Sequence, residues 1–202
     1  VRRTLVQSLP RMLGGGAGGS GGGGALISHA DFRKPDAFVA WSYPPDTFGL
    51  TKQAITQNLD VKAFYTAVAT CFPAYGKVFG KSIEGNLGAG GVDPTTPAMK
   101  AYRKAHMEVT GKPADGWASA NTYVSLQVLE QAIEGVGSVD RKAVTQFIKD
   151  NTFKTIMGDI DFVDQVSHRY WTVGQWQGGE FYGVASKGMP NAKPVILKKG
   201  WK

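Results

Sequence analysis

The sequence has few of the residues that build metal and redox sites. It contains one cysteine, Cys71, and three histidines, His29, His106 and His168, among 202 residues. A single cysteine excludes an internal disulfide framework and a cysteine-based zinc site. The histidines are too widely spaced for two of them to ligate a metal from one helix. We therefore expect no metal and no other cofactor.

Long apolar runs and catalytic motifs are also missing. No apolar run approaches the roughly 18–20 residues that a membrane-spanning helix needs. GxSxG, Walker, HExxH and dinucleotide-binding GxGxxG motifs are absent from any suitable context. Asp159 and Asp161 form a carboxylate pair, but on one face of a strand they suit solvent exposure. The sequence therefore favours a protein that is not an enzyme.

Charge is unbalanced without being clustered. Lys and Arg number 23 against 16 Asp and Glu, for a net charge of +7. No basic helix face and no nucleic-acid motif accompanies this excess, so we expect no nucleic-acid partner. The densest basic group lies in the C-terminal tail, which we expect to be solvated: Lys193, Lys198, Lys199 and Lys202.

The N-terminal residues differ from the rest. Residues 14–24 read GGGAGGSGGGG, which favours a flexible coil because glycine loses the most backbone entropy on ordering. Residues 1–13 begin with basic residues, but polar residues and Pro10 interrupt the apolar stretch, so no secretory signal peptide is predicted. We expect residues 1–24 to lie outside the fold. They are either an engineered tag and linker, or a non-native sequence that replaces the original N-terminal part.

From residue 25 onward, strand and helix patterns alternate. The sequence predicts strands at residues 37–41, 62–66 and 82–88, with helices at 47–58 and 73–80 between them. This order is typical of a parallel sheet with helical crossovers. The sequence therefore predicts an α/β fold.

The composition changes at residues 88–94, GAGGVDP, which we interpret as a crossing segment. A helix follows that is capped by Thr96, with Met99, Tyr102, His106 and Val109 on its apolar face. Two more helices are predicted after it, followed by three strands and a hairpin turn at two glycines. The tail shows no periodicity. Their predicted positions are helices at 119–134 and 140–150, strands at 159–162, 170–176 and 180–182, a turn at Gly178 and Gly179, and a tail at 186–202.

Two loops are the candidate binding site. In parallel α/β sheets, ligands bind beyond the carboxyl ends of the strands. Residues 41–44 follow the first predicted strand, and residues 67–72 follow the second. They offer aromatic side chains, small residues and hydroxyls, which suit a small organic solute better than an ion. Alternatively, Trp41 and Tyr43 only cover the end of the sheet.

Five segments, in this order, resemble a known family: DAFVAWSYPPDTFGLTKQA, KAFYTAVATCFPAYGKVFGKSIEG, ADGWASANTYVSLQVLEQAIEGVGS, IMGDIDF and YWTVGQWQGGEF. Together they resemble the C-terminal half of periplasmic solute-binding proteins of the branched-chain amino-acid (Leu/Ile/Val) type, which serve ABC transporters. The resemblance covers about residues 30–183.

The resemblance implies an architecture. It is a type I periplasmic-binding-protein fold, α/β, with two three-layer (αβα) lobes that hold the solute between them. Residues 25–90 would belong to lobe 2, residues 91–160 would be the helical part of lobe 1, and residues 161–185 would return to lobe 2. The first lobe would be incomplete because its central strands come from the N-terminal half in this family. We therefore expect marginal stability or self-association through the incomplete lobe.

The resemblance also assigns site residues. Tyr43 matches a Tyr-Pro pair at the strand end, where the family directs an aromatic side chain toward the solute. Amino-acid receptors of the family carry an acidic residue on the next loop, which contacts the ligand's ammonium group, and Val68 stands there. This departure favours a carboxylate or aromatic solute. The full candidate set is Trp41, Ser42, Tyr43, Thr66, Val68, Thr70 and Cys71.

Two functions remain open. The first is the truncated solute-binding component of an ABC importer, periplasmic in the parent protein, with a small-molecule solute and an ABC permease as partners. The second is a non-binding fragment or an engineered peptide–linker scaffold without solute function. An enzyme is disfavoured because the sequence shows no nucleophile–base pair or metal set.

Overall fold

The computed structural model describes residues 4–8, 35–167, 173–185 and 191–201. The predicted glycine linker at 14–24 lies outside these residues, as do His29 and His168. The chain divides into two compact units. Unit 1 comprises Val1–Ala89, Gly174–Phe181 and Val195–Lys202, and unit 2 comprises Gly90–Val173 and Tyr182–Pro194.

The main sheet has the strand order β1-β2-β3-β4-β7-β8. Its strands are β1 (Thr4–Ser8), β2 (Ala37–Trp41), β3 (Ala63–Thr66), β4 (Leu87–Ala89), β7 (Val173–Gln177) and β8 (Glu180–Ala185). β1 to β4 pair in parallel, which confirms the predicted α/β fold. β7 and β8 are joined by a turn at Gly178 and Gly179, as predicted.

The expectation that residues 1–24 lie outside the fold is wrong for Thr4–Ser8, which form strand β1. Its backbone pairs with β2, and Thr4 lies opposite Ala37. An edge strand of five residues is held by main-chain hydrogen bonds to its neighbour. It therefore needs no long apolar pattern that a sequence would reveal.

Two helices belong to unit 1: α1 (Pro44–Thr56) and α2 (Pro73–Phe79). α1 begins three residues before the predicted start because Pro44 and Pro45 occupy its first positions, where a fixed φ fits and an N–H is not needed. The predicted strand at 82–88 is wrong in its first half. A 3₁₀ turn at Gly80–Ile83 precedes it, and Gly85, at φ 80°, shortens the strand to β4.

The core of unit 1 lies on one face of β2 and β3. Phe38 and Phe64 stack there with their ring centroids 5.1 Å apart. Apolar side chains from β2, from α1, from the loop that follows α1 and from the C-terminal segment complete this cluster: Ala40, Leu50, Ala54, Leu59, Val61 and Trp201. Side chains on the opposite sheet face, such as Val39 and Tyr65, are only half-buried. The strands therefore present one fully covered face and one partly covered face.

The C-terminal segment is part of this core. The indole Nε1 of Trp201 donates to the Leu59 carbonyl at 2.8 Å, and its ring packs edge-on against Phe64. Lys198 is 5% exposed, and its Nζ donates to the Ser82 carbonyl at 2.9 Å. The expectation of a solvated tail is therefore wrong for these two residues, because long-range hydrogen bonds hold a segment that has no periodicity.

Unit 2 contains α3 (Pro97–Thr110), α4 (Ala118–Val136), α5 (Arg141–Asp150) and the hairpin β5–β6 (Phe153–Thr155 and Gly158–Ile160). A turn at Val163–Gln165 follows, in which Asp164 has a φ of 53° and Gln165 a φ of 65°. Thr96 caps α3 as predicted, since its hydroxyl accepts from the Met99 N–H. Val109 is 86% exposed, so the predicted apolar face of α3 ends before it. α4 extends past Gly135 to end at Gly137, whose φ is 70°.

Membrane-spanning helices and metal-binding clusters are both absent from the described residues. No helix in the ranges given above combines the length and the apolar character needed to cross a bilayer. Within the same ranges, no three His, Cys, Asp or Glu side chains are grouped so that they could hold a metal ion.

Candidate functional site

The candidate residues lie at one edge of the sheet in unit 1. β2 and β3 are adjacent and parallel, with Ala40 opposite Thr66, so their carboxyl ends meet at this edge. The first loop then leads directly into α1, and the second leads into α2. We call residues 41–43 and 66–71 the strand-end site. It contains every residue that the sequence nominated.

Two aromatic side chains are the exposed part of the strand-end site. Trp41 is 57% exposed and Tyr43 is 70% exposed. Side chains alternate along a strand, so Trp41 lies on the partly covered sheet face, where its ring meets that of Tyr65 edge-on at 5.6 Å. Burial raises the pKa of Tyr65. The sequence did not nominate Tyr65, although its alternation with Phe64 on β3 is a usable signal.

A chain of hydroxyls ties the two loops together. Thr47 Oγ1 donates to the Val68 carbonyl at 2.6 Å and lies 2.7 Å from Ser42 Oγ. A hydroxyl has one proton, so Ser42 must be the donor to Thr47. The Val68 N–H in turn donates to the Ser42 carbonyl at 3.1 Å. The backbone of Val68 is therefore fixed on both sides, while its side chain stays half-buried.

Thr66, Thr70 and Cys71 support the loop from inside. Thr70 Oγ1 donates to the Thr66 carbonyl at 2.7 Å, and the two hydroxyls lie 2.6 Å apart. Both threonines are fully buried, and Cys71 is 5% exposed in a cluster with Tyr75 and Trp176. The structure therefore directs these hydroxyls into internal hydrogen bonds beneath the exposed aromatic side chains.

A neutral polar network lies below this loop. Thr51 Oγ1 donates to the Thr47 carbonyl, so it accepts from the Tyr75 hydroxyl, 2.8 Å away. Asn86 Nδ2 donates to the same Tyr75 oxygen at 2.8 Å. Burial raises the pKa of Tyr75 to about 12, so the phenol remains neutral at physiological pH. The support beneath the strand-end site therefore carries no charge.

The first turn of α1 offers little to an anion. A helix N-terminus binds anions through free N–H groups, but Pro44 and Pro45 have none. The Thr47 N–H donates to the Tyr43 carbonyl at 2.9 Å. Asp46 adds a negative charge in the same turn. This end of α1 is therefore unfavourable for a carboxylate.

The start of α2 is similar. Pro73 again has no N–H, and the N–H groups of Tyr75 and Gly76 both donate to the Phe72 carbonyl. With the buried hydroxyls already hydrogen-bonded, the strand-end site presents mainly aromatic and apolar groups. This chemistry suits the planar or apolar part of a small organic molecule.

The sequence matches a family model described as periplasmic binding protein over residues 24–180. The match covers more than half of the chain. The chain belongs to the periplasmic binding protein family.

Solved structures of this class resemble the chain. A solute-binding protein of an ABC transporter from R. palustris, in complex with benzoate, has a TM-score of 0.66 at 14% identity and covers 85% of this chain. The leucine-binding protein of Thermotoga maritima has a TM-score of 0.61 at 20% identity, over 88% of this chain. A leucine-, isoleucine-, valine-, threonine- and alanine-binding protein from Brucella ovis, in a closed conformation, has a TM-score of 0.66 at 18% identity, also over 88%.

These likenesses show a type I periplasmic-binding-protein fold. The chain spans about half the length of these solved structures, since the matches cover 48%, 47% and 46% of them, respectively. A comparison with curated proteins found no match.

Proposed function

We propose that this chain is part of the solute-binding component of an ABC importer, periplasmic in its parent protein. It binds a small organic solute and does not catalyse a reaction. The observation that carries the proposal is the pair of exposed aromatic side chains, Trp41 and Tyr43, at the shared carboxyl edge of β2 and β3. Family membership and the names of the structural neighbours support the same reading.

The proposed solute has an aromatic or apolar part that contacts the strand-end site. Val68 has no charge with which to pair an ammonium group, so an α-amino acid lacks an anchor on this loop. The first turns of α1 and α2 have few N–H groups to offer, because prolines occupy their first positions, so the carboxylate of an acid is not held there. An aromatic acid would therefore place its ring, and not its carboxylate, against Tyr43.

The proposed organisation assigns residues 25–90 and 161–185 to one lobe, the ligand-binding lobe 2, and residues 91–160 to the helical part of lobe 1. The boundary between the two compact units at Ala89 and Gly90 supports the proposed change of lobe between residues 90 and 91. In the parent protein, an ABC permease would receive the solute. Self-association is also part of the proposal, and exposed apolar side chains on α4, Tyr123, Leu126 and Leu129, support it.

Thermal melts with and without candidate solutes test the proposal. We expect benzoate to raise the melting temperature of the wild type more than leucine or succinate does. At a concentration 100 times the Kd, binding stabilises the native state by about 2.7 kcal/mol. For a chain of this length that corresponds to a shift of roughly 5–10 °C.

Matched variants locate the binding. Tyr43→Ala should abolish the shift with benzoate, and Tyr123→Ala, which removes an exposed tyrosine from unit 2, should retain it. Val68→Asp should favour leucine over benzoate by restoring a carboxylate for the ammonium group. If no solute shifts the wild-type melt, the chain is the non-binding fragment of the alternative reading.

A further inference from the structure

The loop after β3 contains a strained residue. Ala69 has a φ of 76° and is fully buried. This left-handed conformation is favourable for glycine, but in alanine the Cβ crowds the backbone. Such a conformation persists only where surrounding contacts hold it, and strained residues of this kind cluster at functional sites.

The contacts that hold it come from two other elements. The carbonyl before Ala69, that of Val68, accepts from Thr47 Oγ1 on α1 at 2.6 Å. The carbonyl of Thr70, the residue after Ala69, accepts from the indole Nε1 of Trp176 on β7 at 2.7 Å. The Ala69 carbonyl itself accepts from the Phe72 N–H at 2.9 Å. The carbonyls of both residues that neighbour Ala69 in the chain are therefore fixed by buried side-chain donors.

Two glycines make room for this arrangement. A Cβ on Gly76 would overlap the six-membered ring of Trp176, and a Cβ on Gly88 would overlap the side chain of Thr70. The indole and the loop can approach each other only because these positions carry no side chain. The hydrogen bond from Trp176 to the loop therefore depends on the two glycines.

We infer that Thr47 and Trp176 are positioning residues that together hold the loop at residues 67–72 in its strained conformation and so fix the direction of the Val68 side chain. The role of Val68 toward a solute rests on the proposed function, whereas the restraint on the loop does not. Loss of either donor leaves a carbonyl without its partner and lets Ala69 relax to a negative φ, which turns Val68 away from the strand-end site.

The single thiol of the chain provides the assay. Cys71 lies on the loop and is 5% exposed, so iodoacetamide reaches it only when the loop opens or the chain unfolds. Thr47→Val keeps the shape of the side chain and removes the donor. We expect it to be labelled about tenfold faster than the wild type, while Thr47→Ser restores slow labelling.

Urea separates local opening from global unfolding. Local opening exposes little surface, so the labelling rate of Thr47→Val should be nearly independent of urea below the unfolding transition. Thr51→Val is the matched control, because it removes buried hydroxyl bonds from the same helix but leaves the Thr47 and Trp176 hydrogen bonds to the loop in place. The rate at which Cys71 is labelled in Thr51→Val should rise with urea, because the global stability of this variant falls.

The outcomes decide the inference. Equal rates for Thr47→Val and the wild type, or a rise that Thr51→Val reproduces with the same urea dependence, overturn it. Adding Ala69→Gly to Thr47→Val should slow labelling again, since glycine relieves the strain, and faster labelling would overturn the strain argument. If the wild type binds no benzoate, the proposed solute function fails, while the labelling comparison still decides whether Thr47 holds the loop.

Discussion

Replacement of Trp201 by alanine should destabilise unit 1 strongly. Trp201 is 3% exposed, packs against Phe64 at 4.9 Å and donates to the Leu59 carbonyl. Nothing in the sequence of the tail indicates this role. If the C-terminal segment is a structural part of the core, its removal must affect the whole unit.

The expected loss follows from two contributions. Truncation of a buried Trp to Ala costs about 3–5 kcal/mol through lost burial and the cavity that remains. The Leu59 carbonyl also loses its donor, which adds about 1 kcal/mol at the low end of the range for an unpaired buried group. Trp201→Phe keeps most of the ring volume, so it should cost only about 1–2 kcal/mol, chiefly from the hydrogen bond. The total free energy of unfolding of a typical domain is about 5–15 kcal/mol.

Urea unfolding followed by far-ultraviolet circular dichroism measures these differences. Leu197→Ala is the matched control, since Leu197 lies in the same segment and is 61% exposed. It should change stability by less than about 0.5 kcal/mol. The reasoning is refuted if Trp201→Ala is no less stable than Leu197→Ala, or if Trp201→Phe is as damaging as Trp201→Ala.

Two further predictions concern Lys198 and two helical glycines. Burial lowers the pKa of Lys198 from 10.5 to about 8, so the unfolded chain binds more protons between these values and stability rises with pH across that window. Urea midpoints measured from pH 7.5 to 10 should show this slope in the wild type, and a smaller one in Lys198→Met. Gly135→Ala should lower the melting temperature, at a cost of about 1–3 kcal/mol, because a Cβ there overlaps the Phe147 ring. Gly49→Ala, where nothing lies within 4 Å, should raise it by gaining about 0.5–1 kcal/mol, and the same sign for both variants would contradict the packing argument.

Local signals were sufficient for much of the fold. The apolar run at residues 37–41 follows Pro35 and Asp36, and it forms β2 with the predicted bounds. The start of α1 was missed because two consecutive prolines suggest a loop, although both fit the first turn of a helix. The 3₁₀ turn before β4 was missed because Ser82 and Ile83 look strand-like, and only the left-handed glycines around them shorten the strand.

Contacts between distant residues explain what the sequence did not reveal. Trp201 and Lys198 are held by carbonyls more than 100 positions away in the chain, and no periodicity records such a contact. Thr47 was not nominated for the site because a threonine inside a helix carries no distinguishing pattern. Thr47 matters because its Oγ1 donates to the Val68 carbonyl at 2.6 Å, and only the fold brings these two atoms together.

The central claim is that this chain binds a solute at the strand-end site. The most direct test is a nuclear magnetic resonance titration of the isotope-labelled chain with benzoate. We expect the Trp41 indole and the Tyr43 and Val68 amides to shift in a saturable way, while the amide of Leu126 in unit 2 does not. Shifts confined to other residues, or no shifts at millimolar benzoate, leucine and succinate, would contradict the claim.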